Sequence, residues 1–276
     1  MESLPGELLG FYRQGLEQER LTQGPFKLER TRSEELLQRH LPPAPARVLD
    51  VGGGPGAYAC WLAQKGYEVR LVDPIPLHVE QALSACQEHP QQAIAAAILG
   101  DARALDQPDG SQDAVLLMGP LYHLTERHDR LQALREAVRV LRPGGTAAVV
   151  AISRFASLFD GLLRGLLDDP AFVAVVQGDL RDGQHRNPTG HASYFTTAFF
   201  HHPDELTQEI EEAGFELLSL LGIEGPGWLL PDFDAQWAKP ERRASFLEAA
   251  RAVEAEPSLA GMSAHLMAFA RKPAAR

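Results

Sequence analysis

The 276-residue sequence predicts an α/β fold in which a mostly parallel sheet carries helices on both faces. Two observations predict it. Short apolar runs, typical of buried strands, alternate with segments of helical periodicity along residues 48–152. A glycine-rich turn follows the first apolar run directly, as it does where a strand of a parallel sheet passes into a helix. Hydrophobic residues make up 45% of the chain, which is enough for one sizeable core.

The first strand and its turn occupy residues 48–56, VLDVGGGPG, and a helix over 57–65 follows. Glycines at Gly52, Gly54 and Gly56 let the backbone turn sharply and let a ligand lie against main-chain N–H groups. The pattern Gly52-x-Gly54-x-x-Ala57 also satisfies the dinucleotide fingerprint. Because Asp50 ends the strand, a ligand with positive charge is favoured over a pyrophosphate, and NAD stays a minor alternative.

A second strand over 67–74 also ends in an acid, Asp73. A carboxylate at the tip of this strand can accept both hydroxyls of a ribose, whichever adenosine cofactor is bound. The structural alternative for Asp73 is a turn residue before Pro74.

The remaining strands are predicted at the apolar runs 93–99 and 113–119, at 146–152, at 215–223 and at His265–Arg271. Leu131, Leu134, Val138 and Leu141 share one face of a helix, which ends at the turn RPGG of residues 142–145. Another helix begins near Pro203, next to His201 and His202, which we interpret as its start and not as a metal site. The long connection between the last two strands predicts an antiparallel final strand.

Four motifs in this order over residues 48–152 resemble the class I S-adenosylmethionine-dependent methyltransferases, and most of all the bacterial small-molecule methyltransferases. The resemblance implies a Rossmann-like sheet of seven strands, mostly parallel with an antiparallel last strand. It also implies S-adenosyl-L-methionine as the cofactor and methyl transfer as the activity. The turn at residues 142–145 is typical of this family and not of dehydrogenases.

The resemblance transfers a set of cofactor-binding residues to this chain. Asp101 would bond the exocyclic amine of adenine, and the N–H of Ala102 the adenine ring. From a leader segment, Arg30 would meet the cofactor's carboxylate and Tyr12 would cover the cofactor, although a solvated helix face is the alternative for both. The remaining members of the set are Asp50, Gly52, Gly54, Gly56, Asp73, Pro74 and Met118.

Residues 119–124, GPLYHL, follow the fourth strand and resemble the turn that faces the methyl group in this family. An imidazole has a suitable pKa for a general base, so His123 is the catalytic candidate, with a structural histidine as the equal alternative. Tyr194 and His191 could reach an acceptor, but a surface role is favoured for each. No metal is expected, and Cys60 and Cys86 are interpreted as unpaired thiols of a reducing compartment.

Three segments make up the predicted single domain: a helical leader over 1–45, a cofactor-binding core over 46–153 and 199–276, and a lid insertion over 154–198. The apolar stripe between Phe155 and Leu166 predicts a helix in the lid, and residues 178–194 predict a polar loop. A further insertion spans 225–261.

The formal charge of −11 argues against a nucleic-acid substrate and favours a small-molecule acceptor. The alternatives are methylation of protein or RNA, and a non-catalytic S-adenosylmethionine-binding protein. We expect no membrane span and no secretion signal, and therefore a cytoplasmic protein. The acceptor, the methylated element and the oligomeric state are not determined by the sequence.

Overall fold

The computed structural model of the chain describes residues 6, 10, 12, 15, 17–88 and 93–274. The other leader residues lie outside the described residues, so the predicted helix over 1–45 is tested only in part. The described strands are β1 (Arg47–Val51), β2 (Glu68–Asp73), β3 (Ala96–Leu99), β4 (Gln112–Leu117), β5 (Leu141–Ile152), β6 (Gln184–His185), β7 (Ala198–Phe199), β8 (Glu216–Gly222) and β9 (His265–Arg271).

Helices precede and separate these strands. They are α1 (Glu17–Arg20), α2 (Phe26–His40), α3 (Ala57–Gln64), α4 (Pro76–Glu88), α5 (Pro120–His123), α6 (Arg127–Val140), α7 (Ala156–Arg164), α8 (Pro170–Asp182), α9 (Pro203–Glu212), α10 (Phe233–Trp237) and α11 (Pro240–Val253). Short 3₁₀ turns lie at Leu166–Asp168, Ala192–Tyr194, Gly225–Leu229 and Ala260–Met262. In the described residues, no helix has both the length and the apolar character that crossing a membrane requires.

Seven strands form one sheet in the order β3-β2-β1-β4-β5-β9-β8, and β6 and β7 form a separate small ribbon. The pairs among β1 to β5 are parallel, whereas β9 is antiparallel to both of its neighbours. This confirms the predicted seven-stranded sheet with its antiparallel last strand. The carboxyl ends of β1, β2 and β4 meet at one edge, where ligands bind in open α/β folds.

Alternation along each strand divides the core between the two faces of the sheet. In β1, Val48 packs with α2 and α3, whereas Leu49 and Val51 pack with α6 and α9. Asp50 points to the same face as Val48 but lies where β1 enters the glycine turn, so an ionisable group sits at the end of an otherwise apolar strand. The fold therefore delivers this carboxyl to the edge of the sheet.

The leader is held against the insertion over 225–261. Leu28 of α2 packs in one apolar cluster with Phe233, Trp237 and Phe246, all in the insertion. Arg32, which has no exposed surface, donates to the carbonyl of Ile223 at 3.2 Å. These contacts bring α1 and the start of α2 over the carboxyl edge of the sheet.

The lid differs from its prediction in one segment. Residues 178–194 were expected to form a polar loop, but α8 continues through Gly178 and ends at Asp182. His185 is buried, with Nδ1 at 3.0 Å from a carboxylate oxygen of Asp179 and Nε2 at 2.7 Å from the carbonyl of Tyr194. The hydrogen bond to Asp179 compensates for the burial of the imidazole. The polar composition of this segment did not reveal that pairing, so the sequence predicted a loop. The expected lid helix is present as α7.

Candidate active site

A cavity of about 290 Å³ opens at the carboxyl edge of the sheet. Its walls come from α1 and Tyr12 on one side and from the turns after β1, β2, β3 and β4 on the other. The predicted site residues that line it are Tyr12, Arg30, Asp50, Gly52, Gly54, Asp73, Pro74, Asp101, Ala102, Met118 and His123. Residues from four sequence motifs thus meet around one space.

The glycine turn brings main chain to the wall of this cavity. Gly52 has φ +70°, and a Cβ there would lie 2.7 Å from Cδ of Pro120. Gly54 has φ +55°, and the nearest atom to its missing Cβ is Cγ of Glu17 at 3.9 Å. Both positions favour glycine by conformation, and the first also by space. Gly56, in contrast, borders helix α4, where its missing Cβ would lie 3.2 Å from Cβ of Ala82, and it does not line the cavity.

Asp50 is fully buried, and neither carboxylate oxygen has a hydrogen-bond partner among the residues that the structure describes. Burial, and then the nearby charge of Asp73, raise the pKa of Asp50 to about 7. A buried carboxylate without a donor is unfavourable unless a ligand supplies one. Its position therefore indicates a cationic or hydrogen-bond-donating group in the cavity.

Asp73, at the end of β2, organises the turns around it. Its Oδ2 accepts from the N–H of Gly54 at 2.9 Å, and its Oδ1 accepts from the N–H of Ile75 at 2.9 Å. Nδ1 of His78 also lies 3.0 Å from Oδ1. The carboxylate is thereby fixed in one orientation at the cavity wall.

At the far end of the cavity, Asp101 is paired with Arg103, whose Nη2 lies 2.7 Å from Oδ2. Arg103 also contacts Asp129 at 3.2 Å. Burial acts to raise the pKa of Asp101, but the hydrogen bonds and charge of Arg103 hold it below its usual value. Asp101 is therefore a charged acceptor, and Ala102 beside it is buried in the wall.

His123 at the end of α5 contacts the leader. The hydroxyl of Tyr12 lies 2.6 Å from Nε2 of His123, and both residues are half-buried. Nδ1 of His123 is buried without a hydrogen-bond partner in the described part of the chain. Burial, and then the proximity of His78, lower the pKa of His123 to about 3. The imidazole is therefore neutral in this arrangement, which weakens the expectation of a general base.

The leader brings two arginines to the cavity. Arg20, which the sequence reasoning missed, pairs with Glu29 through Nη1 at 2.7 Å and Nη2 at 3.0 Å. Arg30, the predicted one, donates from Nε to Glu34 at 2.9 Å and its side chain is 39% exposed. The sequence positions of Arg20 and Arg30 could not show which arginine suits the cofactor better, because that depends on how the leader packs against the insertion.

Behind Arg20, three potential ligating groups of Glu29, Glu224 and His265 lie within 4.8 Å of one another. His265 Nδ1 lies 2.6 Å from Glu224 Oε1, and Glu29 holds Arg20. Each of the three already has a protein partner, so this group reads as a buried ionic network. The absence of a bound metal stays a prediction.

The lid residues do not enter the cavity wall in the described part of the chain. One aromatic residue of the lid, Phe195, approaches the cavity residue His123, with the two ring centroids 6.2 Å apart. The hydroxyl of Tyr194 donates to Asp169 at 2.5 Å, and the ring of His191 stacks on Tyr194. The lid function of residues 154–198 therefore stays a prediction.

Comparison with known proteins agrees with this geometry. A family model described as "Methyltransferase domain" matches residues 48–145. Methyltransferase GfsG of Streptomyces halstedii is 32% identical over 209 residues, which cover 73% of this chain and 66% of GfsG. The S-adenosyl-L-methionine-dependent Diels-Alderase iccD of Talaromyces variabilis is 30% identical over 206 residues, which cover 63% of this chain and 68% of iccD.

The fold is shared with a solved S-adenosylmethionine-dependent methyltransferase from Methanosarcina mazei, at TM-score 0.59 and 18% identity over 87% of this chain and 98% of that one. The chain spans about two thirds of the length of GfsG and iccD. The motif order, the sheet and these relatives lead to one conclusion. The chain belongs to the class I S-adenosylmethionine-dependent methyltransferase family, with S-adenosylmethionine as its cofactor.

Proposed function

We propose that this chain transfers the methyl group of S-adenosylmethionine to a small-molecule acceptor in the cytoplasm. The observation that carries the proposal is the buried carboxylate of Asp50, which is unpartnered among the described residues and belongs to a residue of the cavity wall that Asp73 also borders. S-adenosylmethionine supplies an activated methyl group on a sulfonium. Its ammonium and sulfonium are the kind of positive charge that a buried carboxylate attracts.

The residues present fit this cofactor. Main chain at Gly52 and Gly54, with Asp50, would hold the methionyl part. Asp73 would accept a hydrogen bond from the ribose, and Asp101 would accept one from the adenine amine. Pro74, Ala102 and Met118 complete the same wall. Gly56 would act through the packing of α3 on α4, so its predicted contact with the cofactor becomes an indirect one.

The cofactor's carboxylate needs a cation, and Arg20 suits it better than Arg30. Arg20 borders the cavity and donates to both carboxylate oxygens of Glu29. This bidentate pairing holds its guanidinium in one orientation. Its Nε also donates to Glu17 at 2.8 Å, so among the described residues one N–H on each of Nη1 and Nη2 stays available. Arg30 lies at the rim, paired with Glu34, and would contribute a weaker and more solvated charge.

Tyr12 and His123 would exclude water and align the acceptor. Tyr12 covers the cavity by contacting His123 from the leader. A neutral His123 accepts or donates a hydrogen bond, but with a pKa of about 3 it is a poor proton acceptor at neutral pH. We therefore assign His123 the role of orienting the methyl acceptor. Alignment of the acceptor with the methyl group then provides most of the rate enhancement.

The acidic composition supports a small neutral or cationic acceptor over a nucleic acid. One relative supports a second candidate function. The relative iccD is described as a Diels-Alderase that depends on S-adenosyl-L-methionine, so a cyclisation without methyl transfer is the alternative. The two functions differ in one product, since methyl transfer alone releases S-adenosylhomocysteine.

The test incubates purified protein with methyl-labelled S-adenosylmethionine and a cell extract that has been divided into small molecules and macromolecules. We expect a labelled small molecule together with S-adenosylhomocysteine, and neither with Asp73→Ala. Label in protein or RNA alone would overturn the small-molecule acceptor. Conversion of an extract metabolite without S-adenosylhomocysteine would support the alternative and overturn the proposal.

A further inference from the structure

His78 lies in the cavity wall beside Asp73, near the start of α4. It is 3% exposed, and its Nδ1 is 3.0 Å from Oδ1 of Asp73. Its other nitrogen, Nε2, is buried without a hydrogen-bond partner among the residues that the structure describes. The edge of Tyr12 packs against the ring, with the centroids 4.9 Å apart. Buried polar nitrogens are usually hydrogen-bonded, and a ligand in the cavity can supply the partner here.

The partner of Nδ1 fixes what Nε2 can do. A carboxylate oxygen only accepts hydrogen bonds, so Nδ1 of His78 must carry the proton that it donates to Asp73. In the neutral imidazole the remaining nitrogen is then an acceptor. In that neutral form Nε2 presents a lone pair, and a ligand hydroxyl is the complementary donor.

The acceptor capacity of Asp73 points the same way. A carboxylate offers about four lone-pair sites, two on each oxygen. Ile75 N–H and His78 Nδ1 use both sites of Oδ1, and Gly54 N–H uses one site of Oδ2. One site is left on Asp73, whereas a ribose diol brings two O–H donors. The second hydroxyl needs another acceptor next to Asp73.

We propose that His78 is a ribose-binding residue, whose Nε2 accepts a hydrogen bond from one hydroxyl of the cofactor's ribose while Asp73 Oδ2 accepts from the other. The inference rests on the assignment of Asp73 to the ribose under the proposed function. His78 then makes two contacts: Nδ1 donates to the carboxylate of Asp73 and orients it, and Nε2 accepts a hydrogen bond from a ribose hydroxyl.

Calorimetry with S-adenosylhomocysteine and its 2′-deoxy and 3′-deoxy analogues tests this without a methyl acceptor. The variant His78→Asn keeps an N–H near the Nδ1 position and removes the Nε2 acceptor. The wild type should bind each deoxy analogue about tenfold more weakly than S-adenosylhomocysteine, as expected for one lost hydrogen bond. The affinity of H78N for S-adenosylhomocysteine should be about tenfold lower than that of the wild type. H78N should bind one of the two deoxy analogues as tightly as it binds S-adenosylhomocysteine, because the hydroxyl that this analogue lacks no longer has an acceptor.

The controls separate a binding role from a structural one. His128→Asn makes the same change at an imidazole that is 80% exposed and should leave all three affinities unchanged. His78→Gln, which carries an amide oxygen towards the Nε2 position, should keep discrimination against both analogues. If H78N discriminates against both deoxy analogues as the wild type does, the ribose contact is refuted. If the wild type fails to bind S-adenosylhomocysteine, the proposed function itself fails.

Discussion

The hydroxyl of Tyr12 lies 2.6 Å from Nε2 of His123, which joins the leader to the turn after β4. Both partners border the cavity. Burial raises the pKa of Tyr12 well above its ordinary value, so its hydroxyl keeps its proton. With His123 neutral as well, this contact is a hydrogen bond between two uncharged groups. The contact between Tyr12 and His123 therefore involves no ion pair, and breaking it needs no proton transfer.

The first prediction is that His123 stays neutral far into the acidic range. Burial, and then the proximity of His78, lower its pKa to about 3, because the charged imidazolium loses hydration in the enclosed site. NMR of labelled histidine should show no protonation of this ring above about pH 4, with His123→Ala identifying the signal. Protonation with a midpoint of about 6.5 would restore the general base, which the sequence left as an equal alternative to a structural histidine.

The acids at the strand ends were predictable from the sequence. Asp50 and Asp73 each follow an apolar run, and the carboxyl ends of neighbouring parallel strands share one edge. Local pattern sufficed because each strand is short and buried. The last strand, His265–Arg271, has the predicted bounds for the same reason.

Other parts of the site depend on contacts between distant segments. Arg20 reaches the cavity because Leu28 packs against Phe233 of the insertion, and no local pattern records that contact. The orientation of His78 follows from its bond to Asp73, which the spacing of the two residues on a turn and a helix does not reveal. Hydrophobic periodicity predicts the helices and strands. The hydrogen-bond partners of buried polar groups can be identified only once the fold is known.

The second prediction is that Asp73→Ala weakens S-adenosylmethionine binding by about 2–4 kcal/mol, because a charge-assisted hydrogen bond to the ribose is lost and the glycine turn is loosened. Titration calorimetry measures the loss. Asp109→Ala, at a carboxylate whose side chain is 81% exposed, is the matched control and should bind normally. An unchanged affinity in D73A, with a normal thermal unfolding curve, would remove Asp73 from the site.

The third prediction couples binding to pH through Asp50, whose pKa burial and then the charge of Asp73 raise to about 7. The cofactor's ammonium favours the ionised carboxylate, so below about pH 7 a proton must leave before the ion pair forms. Affinity should fall towards tenfold per pH unit below that value and level off above it. Calorimetry across this range, repeated in buffers of different ionisation heat, measures the affinity and the released proton.

The control variant Asp50→Asn should bind weakly with little pH dependence in this range. It should also be more stable than the wild type above about pH 7 without cofactor. The folded wild type binds more protons at Asp50 than the unfolded chain does between about pH 4 and about pH 7, so its free energy of unfolding falls as pH rises through that window. A wild-type pH profile of binding in D50N would assign the titration to another group.

The fourth prediction concerns closure. Residues 17–30 and 154–198 should gain protection from hydrogen exchange when S-adenosylhomocysteine binds, because the first segment borders the cavity and we expect the second to act as its lid, and both must open for exchange of ligand. The wall position of Arg20 supports this for the leader. For the lid, Phe195 has φ 66° next to His123, a strained conformation of the kind found at functional sites. Equal protection with and without ligand would make either segment a static part of the core.

Titration of the wild-type protein with S-adenosylmethionine, S-adenosylhomocysteine and NAD, side by side in a calorimeter, tests the cofactor most directly. Both adenosyl ligands should saturate one site with a dissociation constant in the micromolar range, about −8 kcal/mol, and NAD should give no binding heat. Binding of NAD without binding of S-adenosylmethionine would contradict this expectation, since a buried Asp50 beside a pyrophosphate gains nothing.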